Sequence, residues 1–395
     1  METKTKLLEN EICFGFKIFH ILCTIFGLAS YPFYEENKYA NKINRCRRIV
    51  TALIWILMYS AVIICTMMSL SYSSKISKKV IISYTISHVL ICLTSIVSIY
   101  AAFTKKYPSI YQTLSEVDVS GFSSEYLIRT QKSWKIARTF EITLILIVTI
   151  IMSSYVLLSY QFTSFWEFGR IVLLFLSDFC NTLLTCQYII CIALVKEKHY
   201  FMNQFISSHI IYNRSINRNT QDINVPPTFG DISNTSFLST YIARNLHKLR
   251  ISHDQIYDIV SSINRNYGLS ILFVVCWKLV SVVASVYYVI HHNDISYKDI
   301  IYCIHTSVIL VRLPMLCHSA MNEFQNSKVL VQKLILYNAY GSMVNKELKL
   351  LSSQLNSIKI EYTAYGFFVL NLPFLSSVVS VILSYILILI QFKEV

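Results

Sequence analysis

Charge is what this chain has least of. Only 14% of its 395 residues are Asp, Glu, Lys or Arg, against about 25% in a soluble domain, and mean hydropathy is +0.50. A water-covered surface cannot be built from that supply. Glycine is also scarce: 8 in all, with no two closer than Gly15 and Gly27. That spacing excludes a phosphate-binding Walker loop, a GxGxxG dinucleotide turn and a GxSxG nucleophile elbow. HExxH and CxxC pairs are absent as well, so enzyme activity, metals and cofactors are not expected. The 11 cysteines do not form a disulfide framework, because no loop holds a pair of them. Cys23, Cys65, Cys92, Cys180, Cys186, Cys191, Cys276 and Cys317 fall inside apolar runs and read as small hydrophobes.

What is present is a series of apolar segments long enough to cross a bilayer. Seven are expected to span as helices: 48–70, 80–103, 138–160, 167–195, 268–290, 299–320 and 370–392. Each has about 20 or more mainly apolar residues, matching a hydrocarbon core of about 30 Å. The stretch 12–34 contains Lys17 and His20 and ends at Tyr31-Pro32-Phe33, which suits a short interfacial or re-entrant helix. A signal peptide and an extra span are its alternatives; Glu2, Glu9 and Glu11 spoil the basic leader a signal peptide needs. The fold class is therefore all-α and polytopic.

The net charge of +13 does not point to nucleic acid, because the basic residues flank apolar segments rather than line a soluble groove. They orient the chain instead. Lys and Arg concentrate in 1–47, 104–137, 196–267 and 321–369, and are sparse in 71–79, 161–166, 291–298 and 393–395. The positive-inside rule puts the rich side in the cytoplasm, with the N-terminus inside and, after seven crossings, the C-terminus outside. The sequons at Asn213 and Asn234 then lie inside and should stay unglycosylated. The expected organisation is a cytoplasmic N-terminus with interfacial helix at 1–47 and four spans within 48–195. A cytoplasmic helical region follows at 196–267, then two spans within 268–320, a second cytoplasmic helical region at 321–369, and the last span at 370–395. Within these, 213–236 is rich in Asn, Ser, Thr and Pro and reads as a loose loop, while 345–364 reads as an amphipathic helix.

The last span carries the sharpest pattern. At about 100° per residue, Pro373, Ser377, Ser380, Ser384 and Gln391 share one narrow stripe on an otherwise greasy helix. Small-residue stripes serve close helix packing; they also serve as the wall of an aqueous path. Gln391 favours the second, since a lone amide at a membrane edge seeks water or another amide.

The segment Ser384-Tyr385-Ile386-Leu387-Ile388-Leu389-Ile390-Gln391-Phe392 resembles the signature that ends insect gustatory receptors: Thr-Tyr, five hydrophobics, Gln-Phe. Ser384 stands where threonine is usual. Phe26-Gly27-Leu28 followed by Pro32-Phe33 is similar to that family's N-terminal pattern, and chain length, span number and the very short C-terminal tail agree. The resemblance implies a homotetrameric ligand-gated cation channel, or a heteromer with other gustatory receptors. In such a channel the last helix lines the pore, Gln391 and Phe392 form the gate, and Ser377, Ser380 and Ser384 line the path. The partners implied are a small-molecule tastant and membrane lipids, and the location is the plasma membrane of a sensory neuron.

Aromatic and polar residues gather at the expected outer ends of the spans and make a candidate ligand pocket: His88, Tyr155, Trp166, Arg170, Tyr287, Tyr288, His291, Tyr302 and His305. Tyr and Trp also belt any membrane interface, but His88 and His305 sit deeper than a belt. A pocket that is aromatic and poor in carboxylates suits a bitter or plant-derived compound better than a sugar. Asp178, Lys278 and Arg312 are charges near mid-membrane. They are either an ion pair, Asp178 with Lys278 or Arg312, or the polar floor of the pocket. A G-protein-coupled receptor is the first alternative, weakened by the missing NPxxY-like end of the last span. A transporter is the second; no internal repeat supports it.

Overall fold

A computed structural model describes residues 125–159, 165–222, 229–291, 297–337 and 342–391, with scattered positions between Leu22 and Val117. The first two expected spans, the 12–34 stretch, His88 and Phe392 lie outside the described residues apart from those positions. Six helices make up the described part: α1 (Glu125–Ser159), α2 (Phe165–Asp222), α3 (Phe229–His291), α4 (Tyr297–Leu336), α5 (Ser342–Ser357) and α6 (Leu372–Gln391). No strand occurs among the described residues; one isolated bridge joins Thr363 and Val369.

Among the described residues three stretches are long and apolar enough to cross a membrane: Phe175–Ile211, Ser239–Val286 and Ile300–Leu336. Leu372–Ile388 is a shorter apolar helix. The helices that hold the long stretches overshoot any bilayer. α2 has 58 residues and α3 has 63, so at 1.5 Å per residue they run for about 85–95 Å. Beyond the expected spans 167–195 and 268–290 the two helices pack against α4 and α5, with Asn203 Nδ2 donating to Glu323 O at 2.8 Å and Gln354 Nε2 to Arg250 O at 3.3 Å. Along α5 the stripe Val344, Leu348, Leu351 and Leu355 is buried, the i, i+4, i+7 pattern of a helix with one wet face.

Two expectations change. Residues 213–222 and 229–236 are helical rather than loop, because α2 and α3 continue through them. The helix expected over 345–364 ends at Ser357. Beyond it Ile360, Tyr362 and Ala364 are buried while their neighbours Lys359, Glu361 and Thr363 are not, which is a period of two rather than 3.6. Tyr365 (φ 55°) and Gly366 (φ 80°) then turn the chain back, with Phe367 N donating to Ala364 O at 3.0 Å. Two consecutive positive φ values are what a type I′ hairpin turn requires. Asn371 caps α6 by accepting from Phe374 N at 2.9 Å, and Pro373 occupies the first turn, where its missing N–H costs nothing.

Where α2 meets α3 and α4, the imidazoles of His199 and His253 lie 5.2 Å apart and both touch the Phe324 ring. None of their four ring nitrogens has a hydrogen-bond partner. Burial pushes His253 from 6.5 down to about 4, and burial plus the neighbouring His253 lowers His199 well below its usual value. Below pH 6.5 the unfolded chain therefore binds protons that the folded one refuses, so stability falls as pH drops from about 6.5 to 4 and is complete above that window. At pH 5 the loss from His253 alone should be on the order of 2 kcal/mol. Thermal unfolding of the detergent-solubilised protein should show a lower midpoint at pH 5 than at pH 7.5. Replacing both rings (His199→Phe with His253→Phe) should flatten that difference.

Candidate functional site

α6 turns two different faces outward and inward. Phe374, Val378, Ile382 and Ile386 form the row it presents to the rest of the chain, with Val378 buried and the others, like the adjoining Leu375, partly so. Ser377, Ser380, Ser384 and Gln391 are exposed. On the helical wheel the centres of these two groups lie about 150° apart. The polar stripe therefore faces away from its own subunit. Packing of small residues against a neighbouring helix of the same chain, one expectation from the sequence, does not account for it among the described residues.

Each serine of the stripe spends its hydroxyl proton on its own helix. Ser377 Oγ donates to Pro373 O (3.1 Å), Ser380 to Ser376 O (3.0 Å) and Ser384 to Ser380 O (2.8 Å). Such back-bonding is common for serine in apolar helices. Its chemical result is that the oxygen lone pairs, not the protons, face outward, and lone pairs attract cations.

The mid-span charges are all partnered. Lys278 Nζ on α3, 1% exposed, donates to Asp178 Oδ1 on α2 at 2.7 Å. Arg312 on α4 does not join them. Its Nε and Nη2 donate to the two carboxylate oxygens of Glu141 on α1, the latter at 2.8 Å. Sequence reasoning missed Glu141, although it is the lone acid within 138–160 and so was the available signal. Both pairs join two helices, and they hold the bundle at two depths.

His305 on α4 is buried and lies 3.0 Å from Thr149 Oγ1 on α1. Thr149 Oγ1 also lies 2.8 Å from Ile145 O, so the hydroxyl can donate to the helix carbonyl or to the ring, and the His305 tautomer sets which. The ring is within electrostatic reach of both Asp178 and Lys278. The structure thus brings Asp178, Lys278 and His305 together and sets Arg312 apart. Tyr302, one turn before His305, is partly buried. Tyr155 lies on α1, Trp166 and Arg170 on α2, and Tyr287, Tyr288 and His291 at the end of α3, with side chains outside the described residues. Among the described residues no cluster of three His, Cys, Asp or Glu forms a metal site. Cys23, Cys180, Cys186, Cys191 and Cys317 are free and buried, as small hydrophobes would be, whereas Cys276 is exposed.

Comparison of the whole chain with known families decides what kind of membrane protein this is. The profile described as 7tm chemosensory receptor matches residues 16–395. The chain belongs to that receptor family. Its fold is that of an insect olfactory receptor. OR5 from Machilis hrabei in complex with eugenol superposes with a TM-score of 0.69 at 15% identity, covering 98% of this chain and 99% of that one. A second OR5 structure from the same organism gives 0.65 at 16% identity, covering 95% and 97%. No curated protein matches the receptor by sequence.

The Lys278–Asp178 pair should be structural before it is anything else. Lys278→Met leaves a buried carboxylate unpaired and should destabilise by about 3–5 kcal/mol, seen as a loss of surface expression and of thermal midpoint in detergent. The double variant Lys278→Met/Asp178→Leu should recover most of that loss.

Proposed function

We propose that this receptor is a gustatory receptor that acts as a ligand-gated, non-selective cation channel for a small tastant of bitter or plant-derived type. It sits in the plasma membrane of sensory neurons as a homotetramer, or as a heteromer with other gustatory receptors, and catalyses no reaction. The observation that carries this reading is the direction of the α6 stripe, which points away from its own subunit. A polar stripe of this kind is ill-suited to lipid, so its natural neighbour is water on an axis shared by several copies. With Ser377, Ser380 and Ser384 donating backward, four copies would offer rings of oxygen lone pairs to a passing cation. Gln391 and Phe392 would form the outer gate, the amide replacing part of the ion's water and the ring closing the path by dewetting.

The tastant would enter from the outer ends of the helices toward His88 and His305, with Tyr155, Trp166, Arg170, Tyr287, Tyr288 and Tyr302 around it. Aromatic walls with few hydrogen-bonding groups suit small organic compounds. His305 Nε2 is taken up by Thr149 Oγ1 at 3.0 Å, which leaves Nδ1 as the ring nitrogen for a ligand. The orientation we propose, N-terminus inside and C-terminus outside, follows from the Lys and Arg distribution and is the inverse of a G-protein-coupled receptor.

The test separates pore from pocket within one expression system. Currents should be recorded against a panel of quinine, caffeine, denatonium, sucrose and plant phenolics with G-protein signalling blocked. Ligand-evoked current should persist under that blockade. Gln391→Ala and Gln391→Leu should shift gating or reversal potential with dose–response selectivity nearly unchanged. His88→Ala and His305→Ala should shift half-maximal concentrations by tenfold or more at constant reversal potential. Wild-type gating and permeation in both Gln391 variants, at normal surface expression, would remove the pore assignment.

A further inference from the structure

We propose that Asn264 is a positioning residue for the pore helix: together with Gly268 it fixes the hairpin at 361–369, and with it the foot of α6, onto α3. The inference rests on the reading of α6 as the pore wall.

The joint is built from backbone groups held by one side chain. Asn264 Nδ2 donates to Glu361 O at 2.6 Å, and its Oδ1 accepts from Thr363 N at 3.0 Å. An amide is the right group for this, because it presents one donor and one acceptor side by side, as a neighbouring strand would. One turn further along α3, Gly268 permits the close approach: a Cβ there would stand 2.8 Å from Tyr365 N and 3.1 Å from Tyr365 Cα. Backbone cannot swing aside as a side-chain tip can, so any larger residue displaces the turn. α4 contributes a third tie, Lys328 Nζ to Ile358 O at 3.2 Å.

From the joint the connection to α6 is short and stiff. Leu370 N donates to Tyr362 O at 2.8 Å and Ala364 N to Phe368 O at 3.0 Å, closing the hairpin. Phe368 stacks on Phe374 of α6 with centroids 4.3 Å apart and planes 6° from parallel, and Asn371 caps the same turn. Tyr362, Ala364 and Leu370 have no exposed surface. Above this foot Val378, Ile382 and Ile386 still face the rest of the chain, while Val379, Val381, Leu383, Tyr385, Leu387 and Ile388 are all exposed. The hydrogen bonds that fix the helix are therefore at its foot, and the holder is α3, which also carries Lys278 of the Asp178 pair near His305. A shift of α3 at the polar cluster reaches α6 through Asn264 without crossing any flexible segment.

The test uses full-length protein reconstituted in lipid bilayers, with two readouts. Hydrogen exchange at Thr363, Leu370 and Phe374 should rise at least tenfold in Asn264→Ala, with α3 and α5 protected as in wild type. The unliganded open fraction of single channels should change at least fivefold at constant single-channel conductance, because the lining of α6 is untouched. Gly268→Ala should move both readouts in the same direction by a smaller factor and serves if Asn264→Ala fails to assemble. Asn264→Asp provides a signature that simple loss of stability would not. Ionised, the carboxylate still accepts from Thr363 N but opposes Glu361 O; protonated, it again offers one donor and one acceptor. Its open fraction should depart from wild type at pH 7.5 and return to within twofold of it at pH 5.5. Exchange at the foot equal to wild type in Asn264→Ala, an open fraction within twofold of wild type (both zero included), or an Asn264→Asp phenotype indifferent to pH would each overturn the proposal. A wild-type protein that conducts no cations would instead remove the pore reading, and the exchange measurement would still decide whether the joint holds α6.

Discussion

The structure depends on a single stretch of α2. From Ser177 to Ile206 almost every residue is buried, so this helix is surrounded rather than laid on a surface. A helix in that position has to pack on every side, first over the expected span 167–195 and then over the residues that follow it. Its sequence shows both. Leu183, Leu184, Ile189, Ile190 and Ile192 fill the first part and Met202, Phe205 and Ile206 the second. Thr182 and Thr185 return their hydroxyls to the helix's own carbonyls, which is how polar residues are tolerated where no water reaches.

Helices α1, α3 and α4 are attached to α2 by a few directional bonds added to that packing. Asp178 takes Lys278 from α3. Glu197 takes Arg138 from α1 at 3.2 Å, beside a Trp134–Tyr200 ring contact at 4.9 Å. Asn203 donates to Glu323 and accepts from Ser327, both on α4. Directional contacts of this kind contribute register more than net stability. The register matters because α6, the helix that carries the proposed function, makes no such bond above its foot among the described residues and takes its position from the others.

Much of the functional reading was present in the chain as linear pattern. The spacing Ser377, Ser380, Ser384 and Gln391 is a helical stripe in any fold, and Ser384 to Phe392 is a motif that needs no geometry to be read. The short hairpin was not legible. Lys359-Ile360-Glu361-Tyr362-Thr363 alternates apolar and polar residues in a way that also fits part of a helix, and five residues are too few to separate a period of two from 3.6. The choice between them was made by α3, whose Asn264 and Gly268 accept an extended segment and leave no room for a helix.

The sequence by itself determined that this is an all-helical membrane protein, which residues cluster on one face of its last helix, and how the basic loops would orient it. Those are properties of short windows, where composition and period are enough. Tertiary structure alone decided that Lys278 pairs with Asp178 while Arg312 goes to Glu141, and that the serine stripe points away from its own subunit. It also decided that α6 is held by an amide a hundred residues earlier. Each of these turns on which helices become neighbours, and in an apolar bundle nearly every face is greasy enough to pack against nearly any other. The few polar groups make the choice, and they meet only after the chain has folded.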